Sequence, residues 1–318
     1  MKTIIKPTSD IFIKYLFGSE ENKDLLLDFI NDVLTDSGFE KIVSVEIKNP
    51  FNIKTFTVDK ETVLDVKATD ENGKIYNIEI QTTNHRCLKN RFLYYWAKLY
   101  SGQLEESEKY NKLCPVISIN LVTFDLFDNI KNYHSCFMLK EKDSKDDTVL
   151  TEHLQIHFIE LSKFENFIKE RYNIKNINEV DNIIEIKKEL DRWLYYFTLE
   201  GKVTEEKMQV LLKDEIIEKA HNKFKKFTLS EQLRNMAEAR EKWRRDYESF
   251  IYDAREEGFE KGIQKGIEKG IKKGKISAEE EICKRLIIDG TRDIDKLHKI
   301  TSLDKTMIKS ILEEYERK

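Results

Sequence analysis

Residues 63–81 read VLDVKATDENGKIYNIEIQ, and the fold turns on how this stretch pairs with itself. Side chains alternate along a strand, so Val63, Asp65, Lys67 and Thr69 share one face while Leu64, Val66 and Ala68 share the other. In the second half Asn77, Glu79 and Gln81 lie together, opposite Tyr76, Ile78 and Ile80. Each predicted strand therefore has one apolar and one polar face. A loop of Glu71, Asn72 and Gly73, with Gly73 left-handed, pairs Asp70 with Lys74 and sets Asp65 opposite Glu79. A tighter Asn-Gly turn would set Asp65 against Ile80 and mix the faces, so the longer loop is expected.

Two carboxylates facing each other across a ladder, with Cβ atoms ~5 Å apart, repel unless positive charge lies between them. Mg²⁺ (or Mn²⁺) suits such a pair, because a hard cation takes one or two protein carboxylates, a backbone carbonyl such as that of Ile80, water and phosphate oxygens. Such an ion would activate water and offset charge at a phosphate under attack. The competing reading is an exposed hairpin with ordinary surface acids, in which Lys67 pairs with either one. The spacing from Asp65 to Glu79 and Gln81 does not decide between them by itself.

The next segment tips the balance. Residues 82–104 contain no acid, while Arg86, Lys89, Arg91 and Lys98 stand among Tyr94, Tyr95, Trp96 and Tyr100. Basic groups hold phosphates and aromatic rings stack on bases or sugars; Arg91 and Tyr95, a helical turn apart, share a face. Arg86, Lys89, Arg91, Tyr95 and Lys98 are thus candidate DNA contacts. A purely structural alternative buries Leu88, Phe92, Tyr95 and Leu99 and leaves the basic groups to water.

Further out, apolar spacing predicts a helix over 8–34 broken near Gly18, strands at 42–47, 63–69 and 75–81, and a helix over 83–103. Strands at 116–123 and 154–159 and a helix over 181–198 follow. This order implies one α/β domain over roughly residues 1–165 and helical structure after it. Glycines 258, 262, 266, 270 and 274 recur every four residues. They either line a helix stripe on which a second helix could pack, or make a half-ordered linker; glycine's low helix propensity favours the linker or a fraying helix. The remainder predicts short helices, read as a helical tail or a small helix-turn-helix.

Bulk composition excludes several classes. With 36% charged and 40% hydrophobic residues, no run is long enough to cross a bilayer. The start MKTIIKPTSD lacks the apolar core and cleavage site of a signal peptide. Cys87, Cys114, Cys136 and Cys283 form no CxxC pair, which fits reduced thiols and a cytoplasmic location. A net charge of −4 means that any contact with nucleic acid depends on a local basic patch. His153 and His157 suggest a metal pair, but the alternation around them fits a strand with structural histidines. No Walker loop, GxSxG elbow or catalytic cysteine context is present.

Taken together, KPTSDIFIKYLFGSEENKDLLLDFIND, the LDVKATDENGKIYNIEIQ hairpin, KNRFLYYWAKLYSGQL and IHFIELSKF resemble the PD-(D/E)XK nuclease-family transposases, also called recombination-promoting nucleases. The resemblance covers most of residues 6–200. It implies an α/β fold of the restriction-endonuclease-like type, a mixed sheet flanked by helices with a helical C-terminal extension. Residues 1–165 would be the nuclease-like core, 166–254 a helical extension, 255–276 the glycine-spaced repeat and 277–318 the tail. It also implies a Mg²⁺-dependent DNA endonuclease of recombination or transposition-like processing, or a catalytically weak binding protein on the same fold. Asp65 and Glu79 would bind the metal, with Asp10 a third acidic ligand. Gln81 stands where many such enzymes carry a catalytic lysine, and Leu64 replaces the proline of the name. The general base is left open between Lys67, on the same face, and the activated water itself. DNA is the implied partner, with self-association through the C-terminal helices.

Overall fold

Along the described residues (5–51, 66–143, 146–172, 188–199 and 214–316) the computed structural model runs α1 (Asp10–Gly18), α2 (Lys23–Asp36), β1 (Val45–Ile47), β2 (Val66–Asp70), β3 (Ile75–Gln81) and α3 (Leu88–Ser101). There follow β4 (Val116–Val122), β5 (His134–Lys140), β6 (Val149–Glu160), α4 (Leu161–Tyr172), α5 (Glu189–Thr198) and α6 (Glu215–Leu229). The long helix α7 (Glu231–Ile288), α8 (Ile294–Thr301) and α9 (Lys305–Glu316) complete the chain. Two compact units result, Met1–Glu241 and Lys242–Lys318.

The hairpin has the expected register. Val66 pairs with Ile78, Lys67 with Asn77 and Ala68 with Tyr76. Gly73 takes φ +80°, a conformation closed to most side chains, and Asp70 Oδ1 accepts from the backbone N–H groups of Asn72 and Lys74 to fix the loop. Asp65 lies outside the described residues. The sheet has six strands in the order β1-β2-β3-β4-β6-β5. β1, β2 and β3 are antiparallel neighbours, β3-β4 and β4-β6 are parallel, and β5 is antiparallel to β6. A parallel neighbour requires a crossover, and α3 supplies the one between β3 and β4.

Both sheet faces are covered. Val66, Ala68, Tyr76, Ile78, Ile117, Ile119, Leu121 and Ile159 pack beneath α1, α2, α5 and α6 in the main core. Aromatic contacts knit that layer, with Phe17 stacked on Phe29 at 4.9 Å and tilted against Trp193 at 5.4 Å, and Phe12 edge-on to Phe227 at 5.4 Å. On the opposite face Leu88 and Phe92 of α3 pack on Val122, Leu154, Ile156 and Phe158.

Trp193, Phe197 and Phe227 belong to the same core as α1 and α2, so α5 and α6 are part of the first unit. Arg192 adds a polar clamp, reaching Asp28 (2.7 Å), Asp32 (2.9 Å) and Asp214 (2.5 Å). The glycine-spaced segment is helical throughout, within the 58-residue α7. Lys and Glu a turn apart, such as Lys261 and Glu257, support it. In the second unit, Cys283 and Ile287 close on Leu297, Leu303, Ile308 and Leu312 of the terminal helical pair.

Candidate active site

The polar face of β3 is buried rather than solvated, because β3 is an interior strand lying beneath α3. Asn77 is 1% exposed and Glu79 8%, and the adjacent β4 places buried Ser118 beside Asn77 and buried Asn120 beside Glu79. A carboxylate held there must be compensated. Asn77 Nδ2 donates to Glu79 Oε1 at 3.2 Å. Arg91 Nη2 stands 3.8 Å from Glu79 Oε2 and donates to Gln81 Oε1 at 2.7 Å. Among the described residues, two buried atoms in this group have no hydrogen-bond partner: Asn77 Oδ1, an acceptor, and Arg91 Nε, a donor.

The site therefore gathers Glu79, Gln81 and Arg91, with Lys67 opposite Asn77 on the neighbouring strand. Ile80 lies between Glu79 and Gln81 in β3. Gln81 is engaged at both ends of its amide, since its Nε2 also donates to Thr83 O at 3.2 Å. Asp10 accepts from Ile11 N (2.8 Å) in its own helix and from Arg240 Nε (2.9 Å), contacts that also suit a first-turn acid.

Helix α3 divides as its spacing implies. Leu88 and Phe92 are buried, Trp96 donates to Val116 O at 2.8 Å, and Arg86, Lys89 and Lys98 are exposed. Tyr95 is half-buried with its ring 5.8 Å from the Arg91 guanidinium, and Lys89 lies over the Phe127 ring at 4.3 Å.

The histidine pair does not form. His153 Nδ1 meets Tyr100 OH at 3.1 Å, whereas His157 Nδ1 meets His134 Nε2 at 3.1 Å. His134 Nδ1 in turn lies 2.7 Å from Asp36 Oδ2, and Cys136 Sγ 3.7 Å from His157 Nε2. Burial, with His134 beside it, pushes His157 down to about 3, so it is neutral. Burial pushes the Cys136 thiol up to about 11, which keeps it protonated and unreactive. Among the described residues no group of three or more His, Cys, Asp or Glu side chains comes together as a metal cage.

A family model described as PD-(D/E)XK nuclease family transposase matches residues 7–254. The chain belongs to the PD-(D/E)XK nuclease family transposases. The mixed sheet flanked by helices is consistent with that nuclease fold, and the match takes in every strand of the sheet while stopping short of the glycine repeat. No curated protein and no solved structure matches the chain. Within this family member, the residue that sequence reasoning left without a role is Asn77. Its position on the polar face, two residues before Glu79, was the available signal; its orphaned oxygen depends on the fold.

Proposed function

We propose that the chain is a divalent-metal-dependent endonuclease that hydrolyses phosphodiester bonds in DNA during recombination or transposition-like processing. The observation that carries this reading is the buried Glu79 carboxylate flanked by one orphaned acceptor and one orphaned donor, in a nuclease-family fold. The donor set suits a hard cation: Glu79, Asp65 if the hairpin register continues by one residue, and the Ile80 carbonyl, with Asn77 Oδ1 free to receive a hydrogen bond from a hydrating water. When bound, Mg²⁺ or Mn²⁺ would supply charge neutralisation at the phosphate and lower the pKa of a coordinated water.

The chain's own groups then have distinct tasks. Glu79 and Asp65 hold negative charge where the cation sits, and Lys67 lies on the same polar face, able to balance it. Arg86, in the turn before α3, and Lys89 and Lys98 on that helix present cations to the DNA backbone from an acid-free stretch, and Arg91 and Tyr95 extend that surface toward Glu79. Free thiols at Cys87, Cys114, Cys136 and Cys283 support a cytoplasmic setting, and no described helix is long and apolar enough to cross a membrane. Self-association through the C-terminal helices is part of the proposal. Phe259, Ile263, Ile267 and Ile271 are exposed there, and sedimentation would test it.

A cleavage assay on supercoiled plasmid with Mg²⁺ or Mn²⁺, against EDTA, is the test. Metal-dependent nicking is expected. DNA binding without cleavage under any divalent ion would replace this reading with that of a binding protein on a nuclease fold.

A further inference from the structure

We propose that Arg91 is a catalytic residue of this cleavage, contacting the scissile phosphate, and that Gln81 is the residue that positions it. The inference rests on the nuclease reading above and assigns a task inside it. The Gln81 amide oxygen accepts from Arg91 Nη2 at 2.7 Å while its nitrogen donates to Thr83 O, so both ends of the amide are bonded to the protein. The amide is thus a brace between the end of β3 and helix α3.

The brace fixes a cation without neutralising it. Arg91 Nη2 is 3.8 Å from Glu79 Oε2, beyond hydrogen-bond range, so among the described residues its short bond is to a neutral oxygen. The Tyr95 and Phe92 rings, at 5.8 and 5.9 Å, limit the guanidinium's freedom from the helix side. Its Nε is buried with no acceptor, yet the side chain as a whole is 40% exposed and reachable from solvent. A guanidinium with N–H groups left over matches the fork of oxygens on a phosphate. A tetrahedral phosphate approaching from the exposed side would meet the terminal N–H groups, while the buried Nε has no acceptor among the described residues.

The chemistry assigns the rest. The oxygen of water bonds to phosphorus as the bond from phosphorus to the leaving sugar oxygen breaks; the water gives up a proton to solvent and the leaving oxygen takes one. Negative charge on the non-bridging oxygens needs a fixed counter-charge at that moment. As a guanidinium, the Arg91 side chain holds charge at that moment and moves no proton.

The test uses the full chain, with single-turnover cleavage of a DNA duplex in Mn²⁺ and DNA affinity measured separately in Ca²⁺. Arg91→Ala is expected to lower kcat ~100-fold or more while DNA affinity changes less than ~10-fold. Gln81→Ala should lower kcat with no change in the salt dependence of binding, as befits a residue that contacts no phosphate. The double variant Gln81→Lys with Arg91→Ala should recover at least ~10-fold over Arg91→Ala and acquire an alkaline decline that the parent lacks, because lysine titrates and arginine does not. Circular dichroism checks that each variant is folded, and Arg91→Lys keeps a cation if the alanine variant is not. An Arg91→Ala protein with raised KM, unchanged kcat and a salt slope reduced by ~1 would make Arg91 a backbone contact only and overturn the proposal. A parent that cleaves nothing with any divalent ion would instead bring down the nuclease reading beneath it.

Discussion

Replacing Glu79 with Gln separates a metal ligand from a structural acid, because the two roles differ in what the neutral side chain can still do. Gln has nearly the same volume as Glu, so no cavity opens, and its amide oxygen can still accept from Asn77 Nδ2, now 3.2 Å from Glu79 Oε1. What is lost is the charge beside Arg91, 3.8 Å away on a side chain 40% exposed. Solvent screens that pair, so it contributes at most ~1 kcal/mol. For a unit of this size the metal-free melting temperature should move by no more than ~2–4 °C. Cleavage should fall by more than the ~10- to 100-fold that losing a mere partner of a metal ligand costs. Mn²⁺ affinity by calorimetry should weaken in step. Plasmid nicking, Mn²⁺ titration and metal-free melting, run on parent and variant together, read all of this. Retained cleavage would refute the metal-ligand assignment, and a loss of ~3 kcal/mol or more in metal-free protein would show that Glu79 is a structural acid. Asp65→Asn is expected to abolish cleavage in the same way while leaving metal-free stability equal or slightly higher, since one of two repelling carboxylates is removed.

Other expectations bear on stability, binding and the division of the chain. Burial opposes ionisation of Asp36, but hydrogen bonds from His134 and Lys188 outweigh it and hold the carboxyl down at about 2. A depressed folded-state pKa contributes stability above the unfolded value of ~3.9 that is lost as pH falls through about 2. Asp36→Asn should therefore cost about 2 kcal/mol near neutral pH and almost nothing at the acid end, by urea denaturation; an equal cost at both ends would contradict this. Neutralising Lys89 and Lys98, both exposed on α3, should flatten the log-log salt dependence of DNA binding by roughly 1 to 2 units, and an unchanged slope would return that helix to a packing role. Truncation after Glu241 keeps the first unit together with the Arg240–Asp10 ion pair, so the shortened chain should melt cooperatively within a few degrees of the parent and retain nicking; loss of the melt would refute the division.

The hairpin was legible because its signals are local and agree. Alternation set the faces, Gly73 set the loop, and β3 spans Ile75–Gln81 as the spacing predicts. Strand β5 escaped because HSCFMLK is an edge strand, half-exposed on both sides, with no clean alternation to read. The glycine segment was left open between linker and helix because propensity counts each glycine's cost and undercounts the lysine and glutamate pairs spaced a turn apart around them. Trp193 and Phe197 announced an apolar helix stripe, but its partner, the Phe17–Phe29 stack, is more than 150 residues earlier, and no periodicity encodes such a pairing. The coupling of Gln81 to Arg91 was hidden for a related reason: each residue was visible, but their hydrogen bond depends on how α3 returns over the end of β3.

That return also explains why this face of the sheet is stable without being apolar. Four polar side chains, Asn77, Glu79, Ser118 and Asn120, are buried on interior strands where the opposite face carries Tyr76, Ile78, Ile117 and Ile119. Ser118 and Asn120 bond to each other, and Asn120 Nδ2 also donates to His157 O at 3.1 Å, so that half of the patch is closed. The half around Glu79 is not. It retains an acceptor with no donor on Asn77 and a donor with no acceptor on Arg91, one on each side of the carboxylate. The two could cancel if they could meet, but Asn77 is held to Glu79 and Arg91 to Gln81. Whatever completes this half must bring a donor to Asn77 Oδ1 and leave the buried Glu79 carboxylate compensated, whereas the half at Ser118 and Asn120 asks for nothing more.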